Sequence, residues 1–339
     1  MKLKQFQQYL QENNFDLAFF VHPDPNIIYF TQCKPTFSML TVTPKSAVLH
    51  ITKLDSAETK IPVKTISKDW EIKFQDKKIK KVGINKETLT LSFLDKLKKI
   101  YPQAKFFDVS EKIKELRITK TEEEIILISR SCQITSQAFN DLLPKLPKLT
   151  TELAVASFLD SRMRELGAEE NAFPTIVANN KNAATPHHIT SNTKIKKGFL
   201  LLDFGGCYKN YCSDMTRVIY LGTITKEEKK MYELLLHAQK TAISQVKEKV
   251  KFKELDDNVR KNLHPYSSHF IHSLGHGLGI EVHEAPRFDE TSAVKKNQIF
   301  TIEPGIYFPG KYGLRIEDTL SFAGKTKILT TAPKDLIKA

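Results

Sequence analysis

Short apolar runs alternate with helical stretches between Asp16 and Asp108. DLAFFV, SMLTVT, SAVLHI, VKTIS and KVGIN are rich in β-branched and aromatic residues, which predicts strands. TLSFLDKLKKIYP carries its apolar positions at helical spacing, which predicts a helix. Ahead of them, MKLKQFQQYLQENNFDLAFF reads as an amphipathic helix broken by Asn and Asp before a strand. Near Glu111 the pattern lengthens. Thr119 or Thr121 is placed to cap a helix with Glu122, Glu123 and Glu124 in its first turn, followed by Ile125, Ile128, Cys132 and Ile134 at helical spacing. A second helix is predicted over 151–166, with Gly167 as its C-cap. Beyond it the chain turns strand-rich, in FPTIVA, GFLLLDFGG, TRVIYLG, QIFTIEPGIYF and LRIEDTLSF, interrupted by a predicted helix over 226–249. The change of pattern predicts two domains, 1–114 and 115–339, in an α+β arrangement whose first domain is the smaller and α/β in character.

The 339 residues are more than one core usually serves, and 40% apolar with 27% charged is ordinary globular composition. The amino terminus lacks a signal-peptide pattern, and no stretch approaches the roughly 20 apolar residues needed to cross a bilayer. A cytoplasmic, membrane-free protein is the expectation. Four cysteines, Cys33, Cys132, Cys207 and Cys212, are too few and scattered for a disulfide scaffold and are read as packing residues. Cys207 and Cys212 invite a metal-pair reading, yet no second Cys/His pair stands at zinc-site spacing. The net charge of +13 invites a nucleic-acid reading. The lysines are spread, however, and lack interleaved aromatics, so no nucleic-acid partner is expected.

Acidic residues carry the chemistry. Glu303 and Glu317 fall in stretches that read as apolar strands, where an ionised carboxylate is costly unless compensated. Asp203 ends the run FLLLD, and Asp214 follows beyond a Gly-Gly turn, which suggests neighbouring strands of a hairpin. Converging, the four carboxylates would repel; two divalent cations would cancel their charge, and bridging carboxylates are what a two-metal site needs. His276, within the glycine-rich HSLGHGLGIEVHEAPR, offers a neutral imidazole. Mostly oxygen donors with one nitrogen suit manganese or cobalt, with zinc also open.

The stretches PHH at Pro186, LLDFGG, SDMTR, HSLGHGLGIEVHE, TIEPGIY and LRIEDT, with the linker LRITKTEEEI, resemble in order and spacing the creatinase/aminopeptidase family of pita-bread metallohydrolases. Within it the likeness is to the proline-specific branch, Xaa-Pro aminopeptidases and prolidases. The resemblance implies a C-terminal pita-bread catalytic domain behind a creatinase-like N-terminal domain serving assembly and substrate access, often through a homodimer. It implies Asp203 as ligand of one metal, Asp214 and Glu317 as bridging carboxylates, and His276 and Glu303 as ligands of the other. A metal-bridging hydroxide would attack the peptide carbonyl with Glu303 as general base, and His187 and His283 would hydrogen-bond substrate or intermediate. His272 resembles a proline-pocket histidine. Arg315, two residues before Glu317, is expected on the same strand face, orienting that carboxylate or meeting substrate. Arg287 and Tyr307 are further pocket candidates. The implied substrates are short proline-containing peptides, in dipeptidase or aminopeptidase mode. The rival readings are a methionine aminopeptidase-like enzyme, a creatinase-like hydrolase, and a pita-bread domain that only binds.

Overall fold

The computed structural model describes residues 2–338, which form two compact units, one reaching Arg117 and the other beginning at Ile118. In the first unit α1 (Lys2–Glu12) buries Phe6 and Leu10, four residues apart on one helical face. The strands are β1 (Leu17–Val21), β2 (Ser38–Val42), β3 (Ala47–Ile51), β4 (Val63–Thr65), β5 (Lys81–Ile84) and β6 (Lys105–Asp108), in one sheet of order β4-β3-β2-β1-β5-β6. Every residue of the central β1 is buried. Between β1 and β2 lies α2 (Pro25–Thr31), which the sequence reading missed because HPDPN looks like a turn. Asp24 there caps the helix by accepting from Asn26 N–H at 2.8 Å, and Pro25 takes the first helical position. With α3 (Trp70–Lys73) and α4 (Leu91–Ile100), the sheet encloses a core of Phe19, Val21, Val82, Ile84 and Leu97, and α5 (Ser110–Ile118) follows β6.

The second unit opens with α6 (Glu122–Leu142), capped by Thr121 in a complete capping box with Glu124. Next comes α7 (Glu152–Glu165), capped by Thr151 and ended near Gly167 at φ +106°. The strands that follow are β7 (Glu170–Asn171), β8 (Ile176–Asn179), β9 (Gly198–Phe204), β10 (Gly206–Tyr208), β11 (Tyr211–Cys212) and β12 (Met215–Leu221). Helices α8 (Lys226–Gln245) and α9 (Phe252–Asn262) separate these from β13 (His276–Gly277), β14 (Glu284–Arg287), β15 (Gln298–Ile302), β16 (Gly305–Phe308), β17 (Tyr312–Arg315), β18 (Asp318–Phe322), β19 (Thr326–Ile328) and β20 (Ile337–Lys338). One sheet runs β20-β12-β9-β8, another β14-β13-β15-β18-β19, and β16 pairs with β17.

The alternation of a strand aims the chemistry. Leu200, Leu202 and Phe204 of β9 pack with α6 and α7 through Phe139, Leu142 and Leu159. Phe199 and Leu201 belong to the other core, with Tyr232 of α8, Phe252 of α9 and Phe300 of β15. Asp203 follows the odd positions, and its register partner on β12 is Thr216.

Three expectations are corrected. The helix after β12 ends at Gln245, short of 249, and a further helix, α9, follows it. QIFTIEPGIYF is two strands, because Pro304 has no N–H for the ladder, and Glu303 stands in the break. LRIEDTLSF also breaks, with Glu317 in the gap between β17 and β18, where its N–H donates to Thr216 C=O at 3.2 Å.

Candidate metal centre

Five strand ends deliver the four acids and the histidine to one region. Asp203 is the penultimate residue of β9, and Asp214 immediately precedes β12 and so lies just off the expected hairpin strand. Glu303 follows β15, and Glu317 precedes β18. His276 opens β13, which can sit against its neighbours only because its flanks are glycines. A Cβ on Gly275 would lie 2.1 Å from Thr301 O, and one on Gly277 2.3 Å from the Ala285 carbonyl.

Ligand atoms of Asp214, His276 and Glu317 lie within 4.8 Å of one another. His276 Nε2 is 3.5 Å from Asp214 Oδ2 and 3.3 Å from Glu303 Oε1, which brings Glu303 into the group. The other ring nitrogen, Nδ1, lies 3.1 Å from Gly277 C=O, so Nδ1 donates there and Nε2 is the nitrogen turned to the carboxylates. Two buried carboxylate oxygens, Asp214 Oδ1 and Glu317 Oε1, have no hydrogen-bond partner among the described residues. Such atoms are expensive unless a cation meets them. Burial, then the charges of Asp203 and Glu303, push the Asp214 carboxyl well above its ordinary range. Burial, then Asp214 and Glu303, do the same to Glu317, and burial raises Glu303. Three acids, Asp214, Glu303 and Glu317, around one imidazole nitrogen, with two orphaned oxygens, fit a divalent cation held by oxygen donors and one imidazole, while Asp203 is paired with Arg315.

Arg315 does not orient Glu317 directly. With Glu317 off the strand, the shared-face expectation fails, and the guanidinium pairs with Asp203 Oδ2 through Nη2. Its Nη1 donates to Tyr307 Oη at 2.8 Å, and Tyr307 donates on to His272 Nε2 at 2.9 Å. His272 Nδ1 lies 2.8 Å from Ser273 C=O, which fixes the acceptor role of Nε2. Burial, then Arg315, holds the His272 imidazole down at about 4, and burial lifts the Tyr307 phenol to about 12. Both are therefore neutral links in a chain from Asp203 to His272.

His283 packs edge-on against His276 with ring centroids 4.2 Å apart, and partial burial, then His276, lowers its imidazole to about 4. His187 is exposed, in the loop after Ala184. Arg287 is exposed on β14, paired in register with His276, and among the described residues it has no ion pair with the acids.

Two supporting residues escaped the sequence reading. Thr216, inside SDMTR, donates to Glu317 Oε2 at 2.8 Å and accepts from Arg315 Nε at 3.0 Å. Glu152 resembled an ordinary first-turn acid of α7. Fully buried, it accepts from Asn179 N–H at 2.7 Å and Asn182 Nδ2 at 2.8 Å, and meets His188 Nε2 at 3.1 Å, so it orders the loop that carries His187.

The sequence profile of metallopeptidase family M24 matches residues 127–322, over half the chain and with every one of these acids inside it. The chain belongs to metallopeptidase family M24. Residues 2–119 match the creatinase/prolidase N-terminal domain. Among M24 relatives, an Xaa-Pro dipeptidase of Pyrococcus horikoshii is 35% identical over 99% of this chain and 98% of its own. The crystal structure of the P. horikoshii prolidase superposes with a TM-score of 0.92 at 33% identity, covering 99% of each chain. An X-Pro aminopeptidase of Thermotoga maritima superposes with a TM-score of 0.90 at 31% identity, over 96% of this chain and 98% of its own. The fold is thus a creatinase-type N-terminal domain followed by an M24 pita-bread domain, and the chain is a metallopeptidase, a class whose chemistry requires divalent metal. Among the described residues no helix is long and apolar enough to cross a membrane.

Proposed function

We propose that this chain hydrolyses Xaa-Pro peptide bonds with two divalent cations, and that Xaa-Pro dipeptides are its preferred substrates. The carrying observation is the pair of orphaned buried oxygens, Asp214 Oδ1 and Glu317 Oε1, in a cluster with His276. The proline preference is supported by the full-length likeness to the Pyrococcus Xaa-Pro dipeptidases. Asp203, Asp214, His276, Glu303 and Glu317 are the residues that would hold the ions, with manganese or cobalt suited to the donor set.

The chemistry such a pair supplies when bound is acidification of water and stabilisation of developing negative charge. Glu303 takes the proton of the attacking water and passes it to the leaving proline nitrogen. Its burial-raised proton affinity suits a group that must both receive and return a proton. The neutral ring of His283 and the exposed His187 donate hydrogen bonds to the reacting carbonyl as charge collects on its oxygen. His272, fixed through Tyr307 and Arg315, flanks the proline side, where the substituted nitrogen offers no N–H to a conventional peptidase site. Residues up to Arg117 serve assembly and substrate access in a homodimer, a state that sedimentation at working concentration reads directly.

The test is a substrate panel on manganese- or cobalt-loaded protein: Ala-Pro, Ala-Pro-Ala and Met-Ala-Ser. Fastest turnover of Ala-Pro supports the dipeptidase reading, and fastest turnover of Ala-Pro-Ala moves the enzyme to the aminopeptidase mode. Preference for Met-Ala-Ser overturns the proline assignment.

A further inference from the structure

β10 and β11 form a two-residue hairpin in which Lys209 (φ 46°) and Asn210 (φ 68°) supply the left-handed pair of a type I′ turn. Tyr208 and Tyr211 close the turn, and Cys207 faces Cys212 directly one step further in. These two cysteines do not exchange backbone hydrogen bonds. Cys207 C=O accepts from Glu169 N–H at 2.8 Å, and Cys212 N–H donates to Gly279 C=O at 2.7 Å. They form a non-hydrogen-bonded pair, the kind that brings facing Cα atoms to about 4.5 Å. That separation lies inside the window of roughly 4.4–6.8 Å that a disulfide spans.

The side chains use this proximity. The Sγ atoms are 2.8 Å apart, inside van der Waals contact but longer than the bond of about 2.05 Å that would join them. The other two cysteines lie elsewhere in the chain, Cys33 between α2 and β2 and Cys132 within α6. The hairpin also touches the strap that leads to His283. Besides the bond from Cys212 N–H to Gly279, the Cys212 thiol donates to Ile280 C=O at 3.4 Å.

We propose that Cys207 and Cys212 are a dithiol site that closes to a disulfide on oxidation by peroxide, and that closure loosens the strap from Gly279 to Glu284. The step balances with hydrogen peroxide as oxidant. One thiol sulfur attacks the O–O bond, giving a sulfenic acid and one water. The second thiol sulfur then displaces its hydroxyl, forming the S–S bond and a second water. Two electrons pass from the sulfurs to the peroxide, and both thiol protons end in water. The disulfide has no S–H, so Ile280 C=O loses its donor.

The site is tested on the full-length chain with hydrogen peroxide as the probe, reading thiols and amide exchange, neither of which depends on the substrate assignment. Thiol titration in denaturant should fall from four groups to two in the wild type after treatment, with peptide mapping joining Cys207 to Cys212. Cys207→Ser should show no joined pair of cysteines on peptide mapping after the same treatment. Hydrogen exchange at the amides from Gly279 to Glu284 should quicken at least tenfold in oxidised wild type, revert with dithiothreitol, and stay unchanged in treated Cys207→Ser. Four titratable thiols after treatment, a link between any other pair of cysteines, a joined pair with unaltered exchange, or equal quickening in Cys207→Ser would overturn the proposal.

Discussion

The Thr216 hydroxyl gives its hydrogen to Glu317 Oε2 at 2.8 Å and takes one from Arg315 Nε at 3.0 Å. One fully buried side chain thus couples a candidate bridging carboxylate to the guanidinium that pairs with Asp203. Removing the hydroxyl while keeping the shape isolates that coupling. Thr216→Val should fold normally, yet bind manganese and turn over Ala-Pro some 10–100-fold less well, the usual cost of losing an outer partner of a ligand. Thr216→Ser should recover most of the loss. Calorimetric metal titration beside kcat and KM checks this, and wild-type metal affinity in the valine variant would show that Glu317 needs no such support.

The stability of metal-free protein should run against the usual acid sensitivity. Asp214, Glu303 and Glu317 have carboxyl groups raised above their ordinary values of 3.8, 4.5 and 4.5. A group that binds its proton more tightly folded than unfolded contributes stability below its unfolded value, and that contribution disappears as pH climbs through the raised one. Chelator-treated protein should therefore lose melting temperature on going from mildly acidic to neutral pH. Metal-loaded protein should not, because cations then satisfy the ionised acids and binding adds its own stabilisation. Parallel thermal melts with and without chelator decide it, and superimposable pH profiles would contradict the account.

A second buried charge cluster is structural. Asp318 and Arg217 are fully buried and meet at 2.7 Å, with Gln239 Nε2 and Thr330 Oγ1 donating to the same carboxylate at 2.8 and 2.9 Å and Lys334 also paired to it. Burial raises the Asp318 carboxyl, but Arg217 and Lys334 outweigh it and hold the group below its ordinary value. Asp318→Ala leaves Arg217 buried without its charge partner and should cost about 3–5 kcal/mol in urea unfolding. A loss under about 1 kcal/mol would mean that water reaches Arg217 when the acid is gone.

How far the sequence reaches is plain from individual residues. The capping box at Thr121 and Glu124 is legible because its signal is local. So is the cap at Thr151, and the strand of Asp203, whose apolar run is unbroken. The positions of Glu303 and Glu317 were misread as strand interiors, although Pro304 already marked the first break. Two-residue spacing put Arg315 on the face of Glu317, to orient that carboxylate or meet substrate. Its true partner, Asp203, is 112 residues away in the chain, and only the packing of β17 against β9 brings them together. Glu152 was hidden in plain view: an acid in a first helical turn has a sufficient local explanation, and nothing local shows that it is fully buried beneath a loop. Local rules find caps and strands, whereas long-range hydrogen bonds decide which polar residues serve the site.

The central claim is that Asp203, Asp214, His276, Glu303 and Glu317 together hold two cations. Metal content by inductively coupled plasma mass spectrometry, on protein loaded with manganese and freed of excess, tests it most directly. The account predicts two equivalents per chain in the wild type and at most one in Asp214→Asn, with the circular dichroism of the two proteins the same. A wild type that retains less than one equivalent, or an Asp214→Asn variant that still retains two, would contradict it.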